Sequence, residues 1–222
     1  MLDVLSEQDL ERLPIFPLPE AALFPGVLLP LHVFEPRYRA LVRDALSSRK
    51  VLAVARLKPG FESDYAGRPP VFEICGAGVI IDHVAHADGR FHVTLRGLAR
   101  VRILEELAPE LAYRTVRAGL VSDSSADQAL CSALETQITR LWGSIASRLP
   151  EGLRDLSQVT RAAGDSGRFS DLLAGAIVGD AETSQQLLSE LDPGERLRVL
   201  AERLQALVDA LAPSLTKPQN LN

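Results

Sequence analysis

The segment from residue 13 to residue 34 restricts the fold more than any other part of this sequence, because five of the chain's fourteen prolines lie in it. Each proline ring removes a backbone hydrogen-bond donor and clashes with the preceding helical turn, so an α-helix cannot form at this density. Prolines also restrict strands to sheet edges, bulges or short pieces. We therefore predict a buried, extended chain interrupted by turns around Pro14, Pro17, Pro19, Pro25 and Pro30.

The remainder of the first half also indicates β-structure. Its apolar runs are short, and one region alternates apolar and polar residues on both sides of an Asp88-Gly89 turn, which is a strong β-hairpin signal. The predicted elements are a short helix from Pro36 to about Ser47 and strands at 51–55, 72–84, 91–96, 99–104 and 113–121.

The second half has a helical period, with apolar residues three or four positions apart. Asp192 followed by Pro193 is typical of a helix start, and five leucines follow at alternating steps of three and four. We interpret this leucine stripe as bundle core, with a dimer seam as the alternative. Helices are predicted at 130–149, 153–163, 169–178, 181–191 and from Pro193 to about Leu211.

These patterns predict an α+β chain in which a twisted sheet or small β-barrel is followed by an α-helical bundle. The expected units are a β domain at 1–121, a helical bundle at 122–212 and a disordered tail at 213–222.

The net charge of −5, without a basic run, makes nucleic acid and anionic membranes poor partners. Neither a signal peptide nor a long apolar span is visible, so a cytoplasmic location is expected.

Lysine usage excludes ATP hydrolysis by a P-loop. None of the three lysines, Lys50, Lys58 and Lys217, follows a glycine, whereas a P-loop requires Gly-Lys-Ser/Thr. The sequence also lacks a Gly-x-Ser-x-Gly elbow for a hydrolase nucleophile, and no lysine is well placed for a Ser–Lys dyad. We therefore expect a protein that is not an enzyme, without catalytic or cofactor-binding residues.

Three histidines, His83, His86 and His92, lie close together in the sequence and invite a metal interpretation. On a regular strand, however, His83 and His86 would point to opposite faces, and no cysteine or acidic cluster completes a ligand set. We interpret them as exposed histidines near a hairpin tip and predict no metal site. Cys75 and Cys131 lack ligand spacing and are expected to be reduced, buried thiols.

One polar cluster stands beside the proline-rich apolar stretch. It consists of His32, Glu35, Arg37, Tyr38 and Arg39. The simpler interpretation is a structural junction, with Glu35 near a helix N-terminus and an arginine paired to it. The functional interpretation is part of a peptide-binding groove, and the candidate residues for it are His32, Phe34, Glu35, Arg37 and Tyr38.

The same region resembles the opening of the Lon N-terminal domain family, and the resemblance extends over roughly residues 10–211. The order of prolines, the Phe-Pro-Gly turn and the Phe-Glu-Pro-Arg-Tyr run form a long and unusual signature. The residues that carry it are Leu13-Pro14-Ile15-Phe16-Pro17-Leu18, Leu23-Phe24-Pro25-Gly26, Leu29 to Tyr38, Gly76-x-Gly78, Asp88-Gly89-Arg90-Phe91 and Leu95-Arg96-Gly97.

The resemblance implies a PUA-like β domain followed by a helical bundle, standing alone without the ATPase and peptidase of Lon. In full-length Lon this region helps to capture unfolded or tagged substrates. The expected function is therefore a binding or adaptor module for protein or peptide segments, and we expect a monomer or weak homodimer. Two alternatives remain: a small-molecule enzyme with a pocket between β domain and bundle, and RNA binding through the β domain.

Overall fold

The computed structural model describes residues 4–146, 156 and 163–211 of the chain. This part is α+β, as predicted, with a six-stranded sheet and helices before, within and after it. The strands are β1 (Leu13–Leu18), β2 (Leu28–Val33), β3 (Val51–Arg56), β4 (Ile74–Ala85), β5 (Phe91–Glu106) and β6 (Thr115–Val121). The helices are α1 (Glu7–Glu11), α2 (Pro36–Leu46), α3 (Gln128–Ile145), α4 (Ser166–Ile177), α5 (Ala181–Ser189) and α6 (Pro193–Leu211), and a short 3-10 turn spans Phe61–Asp64.

Five of the strands close into a ring. Neighbours in the sheet follow the order β2-β5-β4-β3-β1-β6, and β6 also pairs with β5. β1 and β3 are parallel, whereas the other pairs are antiparallel. β2 lies outside the ring and pairs with the first half of β5. The sheet is therefore a small barrel with β2 added at an edge.

The prediction of two separate strands at 91–96 and 99–104 was wrong. β5 is one strand of 16 residues that continues through Gly97 with a register shift beside it. Gly97 is required by a close approach, because a Cβ there would lie 2.0 Å from the carbonyl oxygen of Phe24. At Gly76 a Cβ would lie 1.7 Å from the carbonyl oxygen of Leu23. The segment 23–27 thus crosses the sheet directly against its backbone.

The β part has two clusters of buried apolar side chains. One fills the ring and includes Ile15, Val101 and the unbridged Cys75. The other lies between the sheet and α2 and includes Phe16 and Leu95. The predicted helical spacing of α2 is confirmed, since its buried residues are Tyr38, Leu41, Val42 and Ala45.

The helices after residue 127 pack around a third cluster. The leucine stripe of α6 contributes Leu197, Leu200 and Leu204, which are buried with Ile138 and Trp142 of α3. At the start of α3 the buried residue is Cys131, whereas Leu130, the first apolar residue of the helix predicted at 130–149, is exposed. The helix predicted at 153–163 lies outside the described residues except for Leu156 and Ala163, which are buried.

Two ion pairs, one fully buried and one partly buried, join the β part to the helices. Arg100 of β5 donates two hydrogen bonds, of 2.7 and 2.5 Å, to the carboxylate of Asp171 on α4. Arg196 of α6 donates two more, of 2.7 and 2.6 Å, to Asp123, which follows β6. Since Phe24 and Ile74 of the β part also belong to the helical cluster, the two parts share a packed interface.

Candidate functional site

An open strand edge is the first feature with functional potential. Among the described residues β2 pairs with β5 alone, so its other edge carries unpaired backbone groups. Natural proteins usually protect such edges with charges, prolines or bulges. β2 has no charged residue, and Pro30 is its one protective feature. An edge of this kind is suited to pairing with another extended chain.

The outward side of β2 is apolar and exposed. Leu28, Pro30 and His32 alternate on this side, and Phe34 follows the strand with its ring 5.8 Å from that of His32. Leu28 is 55% exposed and Phe34 is 59% exposed. The strand register continues this surface over Thr94 and His92 of β5 to Asp82 and Val84 of β4. We call these residues, Leu28, Pro30, His32, Phe34, Thr94, His92, Asp82 and Val84, the β2 face.

Three imidazoles meet on the β2 face. The ring centroids of His32 and His92 are 4.7 Å apart, and His86 Nε2 lies 2.8 Å from His92 Nδ1. Desolvation, followed by the nearby His32, His86 and Arg90, lowers the pKa of His92. His83 lies on the other side of β4, so the group differs from the one considered from the sequence. No set of three or more potential ligands among the described residues could hold a metal ion.

A cavity of about 200 Å³ lies at the start of α2. Arg37 and Tyr38 reach it from the first turn of this helix, and the loops at 57–73 and 107–114 form the other walls. We call it the α2 cavity; its polar and apolar walls include Pro17, Arg37, Tyr38, Arg68, Leu111, Tyr113 and Arg114.

Arg37 is held in place from several directions. Its Nε donates a hydrogen bond of 3.1 Å to Glu35, and its Nη2 donates one of 3.0 Å to the carbonyl of Tyr65. The guanidinium carbon lies 4.6 Å from the ring centroid of Tyr38 and 5.0 Å from that of Tyr65. The Tyr65 hydroxyl donates a hydrogen bond of 2.7 Å to Glu35. Burial, together with Glu35, raises the pKa of Tyr65 and keeps this donor protonated.

The other two arginines of the cavity share one carboxylate. Arg114 donates hydrogen bonds of 2.8 and 2.7 Å to Glu106 and one of 2.7 Å to the carbonyl of Pro69. Arg68 lies 3.1 Å from the same carboxylate. The loop from 107 to 114 therefore stays attached to the loop before β4 through this ionic cluster.

The five candidate residues from the sequence occupy two places. His32 and Phe34 lie on the β2 face, whereas Arg37 and Tyr38 line the α2 cavity and Glu35 orients Arg37. Reasoning from the sequence missed Leu28 and Val84, although the alternation of β2 could have indicated Leu28. It also missed Arg114, which only the pairing of β1 with β6 brings near α2.

The depression between the β part and the helices is lined by charged side chains, most of which are already paired. Its walls include Arg100, Asp123 and Asp171, which already bind one another or Arg196. These three side chains therefore do not favour the small-molecule enzyme that the sequence left as an alternative at this place.

Comparison with known proteins decides the family. The family described as ATP-dependent protease La (LON) substrate-binding domain matches residues 12–206. This chain belongs to that family. Among relatives of this Lon substrate-binding domain, the Lon protease of Anaeromyxobacter dehalogenans is 26% identical over 203 residues, which cover 90% of this chain and 24% of the relative. The Lon protease of Roseiflexus castenholzii is 29% identical over 190 residues, which cover 85% of this chain and 23% of the relative. The chain thus spans about a quarter of the length of these curated relatives.

Solved Lon domains have the same fold. The N-terminal domain of Mycobacterium avium complex Lon protease has a TM-score of 0.69 and 21% identity, covering 87% of this chain and 98% of that one. A Lon N-terminal domain protein from Xanthomonas campestris has a TM-score of 0.57 and 24% identity, and the match covers 86% of this chain and 97% of that one. Within the described part of this Lon domain, helices long and apolar enough to cross a membrane are absent.

Proposed function

We propose that this Lon substrate-binding domain acts as a non-catalytic recognition module that binds exposed apolar segments of unfolded proteins through the β2 face. The observation that carries the proposal is an uncharged, open strand edge beside the exposed side chains of Leu28 and Phe34. Exposed apolar patches of this kind are typical of interaction sites. The family description, a substrate-binding domain of Lon, supports the same function.

The binding mode that fits this surface is strand addition. An extended segment would pair its backbone with the open edge of β2 and place alternate side chains over Leu28, His32 and Phe34. Backbone pairing tolerates many sequences, whereas the apolar side chains select segments that a folded protein would bury. This combination suits recognition of unfolded segments in general rather than of one particular sequence.

The location, the oligomeric state and the domain bounds that we propose rest on the sequence. We place the protein in the cytoplasm as a monomer or weak homodimer, with a PUA-like β domain at 1–121 and a bundle at 122–212. RNA binding is disfavoured by the net charge of −5 and because Arg100, Arg114 and Arg196 are paired with carboxylates.

Fluorescence anisotropy with a reduced, alkylated and permanently unfolded protein tests the proposal. We expect Leu28→Asp and Phe34→Asp each to weaken binding about tenfold or more, because burying such a side chain contributes about 1.5–3 kcal/mol. Leu120→Asp is the matched control, since Leu120 on β6 is 54% exposed but lies away from the β2 face. Urea unfolding checks that all three variants stay folded. Equal losses in all three, or no binding by the parent chain, would refute the proposal.

A further inference from the structure

We propose that the α2 cavity binds a single carboxylate attached to a small apolar group. Two sources present this chemistry: the C-terminal residue of a polypeptide, and a free organic acid of similar size. The carboxylate site does not depend on the β2 face. Only its use for polypeptide ends rests on the proposed function.

The charge distribution of the walls is the main argument. Arg37, Arg68 and Arg114 line the cavity, whereas no acidic residue of the described chain does so. Their partner carboxylates, Glu35 and Glu106, contact these guanidinium groups without lining the cavity. The three guanidinium groups are paired with only two carboxylates, so this ionic cluster keeps one net positive charge at the concave wall, and such a cluster attracts one anion.

Arg37 has donor capacity left for this anion. Its hydrogen bonds to described residues use Nε and Nη2, and Nη1 has no partner among them. The rings of Tyr38 and Tyr65 fix the plane of the guanidinium group, so little side-chain entropy is lost when a ligand binds. Planar guanidinium groups match carboxylates geometrically.

The start of α2 adds to the attraction. Arg37 and Tyr38 occupy its first turn behind Pro36, and the N-cap residue Glu35 makes no side-chain capping hydrogen bond. Uncapped amides at a helix N-terminus and the helix dipole both favour a negative charge. In this helix they act together with the arginines rather than alone.

Size and apolar walls define the rest of the ligand. The cavity of about 200 Å³ is smaller than the roughly 300–1,000 Å³ of pockets that enclose drug-sized ligands. Pro17, Leu111 and the ring of Tyr113 offer apolar contacts beside the arginines. One apolar residue with its terminal carboxylate fits this combination of volume, charge and wall.

The test compares two labelled pentapeptides that end in leucine, one with a free carboxylate and one amidated, on the full chain. We expect the free acid to bind at least tenfold more tightly, and Arg37→Gln to remove this difference. Arg43→Gln is the matched control, because it removes the same charge from the last turn of the same helix. A second variant, Leu111→Glu, places a carboxylate in a loop wall of the cavity and should abolish binding of the acid, whereas Leu111→Gln should retain it.

Competition with N-acetyl-leucine, which keeps the amide of a chain end, and with 4-methylpentanoate, which lacks it, distinguishes the two sources. Competition by 4-methylpentanoate at the peptide's own affinity identifies a site for free acids, and competition by N-acetyl-leucine alone identifies a site for chain ends. Equal binding of acid and amide peptides, or an unchanged preference in both Arg37→Gln and Leu111→Glu, would overturn the proposal. Leu28→Asp separates the two sites, since it should weaken binding of the unfolded protein and leave the carboxylate preference intact.

Discussion

His92 connects the chemistry of the β2 face to pH. It lies between His32 and His86, and its pKa is lowered by desolvation first and then by these neighbours and Arg90. At pH 7.5 the imidazole of His92 is therefore neutral and contributes to an apolar surface. His92 gains its proton only below the ordinary histidine pKa of about 6.5, and the β2 face then carries a positive charge.

We expect the affinity for a neutral, unfolded protein to fall between pH 7.5 and pH 5.5. An apolar segment that covers His92 desolvates it and lowers its pKa further, so binding releases protons and weakens as the pH falls. Anisotropy titrations at both pH values measure this change. His92→Gln should reduce the dependence on pH while retaining binding at pH 7.5, and an identical slope in this variant would contradict the explanation.

At the scale of single elements, α6 shows how a sequence stripe is divided between burial and exposure. Leu200 is fully buried against α3, whereas Leu207 on the same helix is exposed. We expect Leu200→Ala to lower the free energy of unfolding by about 2–5 kcal/mol, because it removes buried methyl groups and leaves a cavity. Leu207→Ala should lower it by less than about 1 kcal/mol. Urea unfolding measures both, and similar losses would show that α6 packs differently.

Elements with a repeating pattern could be predicted from the sequence, and those that depend on distant partners could not. The helical spacing predicted α2, and the Asp88-Gly89 turn predicted the β4–β5 hairpin. The continuity of β5 was not predicted, because a glycine within a strand pattern indicates a break. Gly97 is needed instead because a side chain there would clash with the backbone of Phe24. α1 was missed because it has only five residues and depends on a local capping box between Ser6 and Asp9.

The candidate site shows the same limit. The apolar alternation of β2 is visible in the sequence, but its lack of a second neighbour follows from the order of strands in the whole sheet. The sequence singled out Arg37, but it could not indicate that Tyr65 holds this side chain in place or that Arg114 lines the same cavity. Contacts between residues so far apart in the chain leave no local pattern in the sequence.

At the scale of the whole molecule, the Arg100–Asp171 pair fixes the β part to the helices. Both side chains are buried, and Arg100 also donates a hydrogen bond of 2.9 Å to the carbonyl of Leu188. We expect Asp171→Asn to lower the free energy of unfolding by about 3–5 kcal/mol, because the buried guanidinium group loses the carboxylate to which it is hydrogen-bonded and the carboxylate of Asp123 lies 3.9 Å away. Glu202→Gln breaks the exposed pair with Arg198 and should cost at most about 0.5 kcal/mol.

The shape of the unfolding curve adds a second measurement for the same variants. A shared interface with a buried ion pair predicts one cooperative transition for the parent chain, seen alike by far-UV circular dichroism and by the fluorescence of Trp142 in α3. If Asp171→Asn mainly weakens the connection between the parts, the two signals should separate in this variant. A loss no larger than that of Glu202→Gln would refute the structural role of the pair.

The closure of the ring has a consequence for synthesis on the ribosome. Leu13 of β1 pairs with Val116 of β6, so the first strand to emerge waits for a partner about a hundred residues later. At about 5–20 residues per second this delay lasts about 5–20 s. Until β3 and then β6 emerge, the two edges of β1 could pair with other nascent chains. Pro14 and Pro17 within β1 remove donors from those edges, and so the residues that shape the strand also lower its risk of aggregation before the barrel is complete.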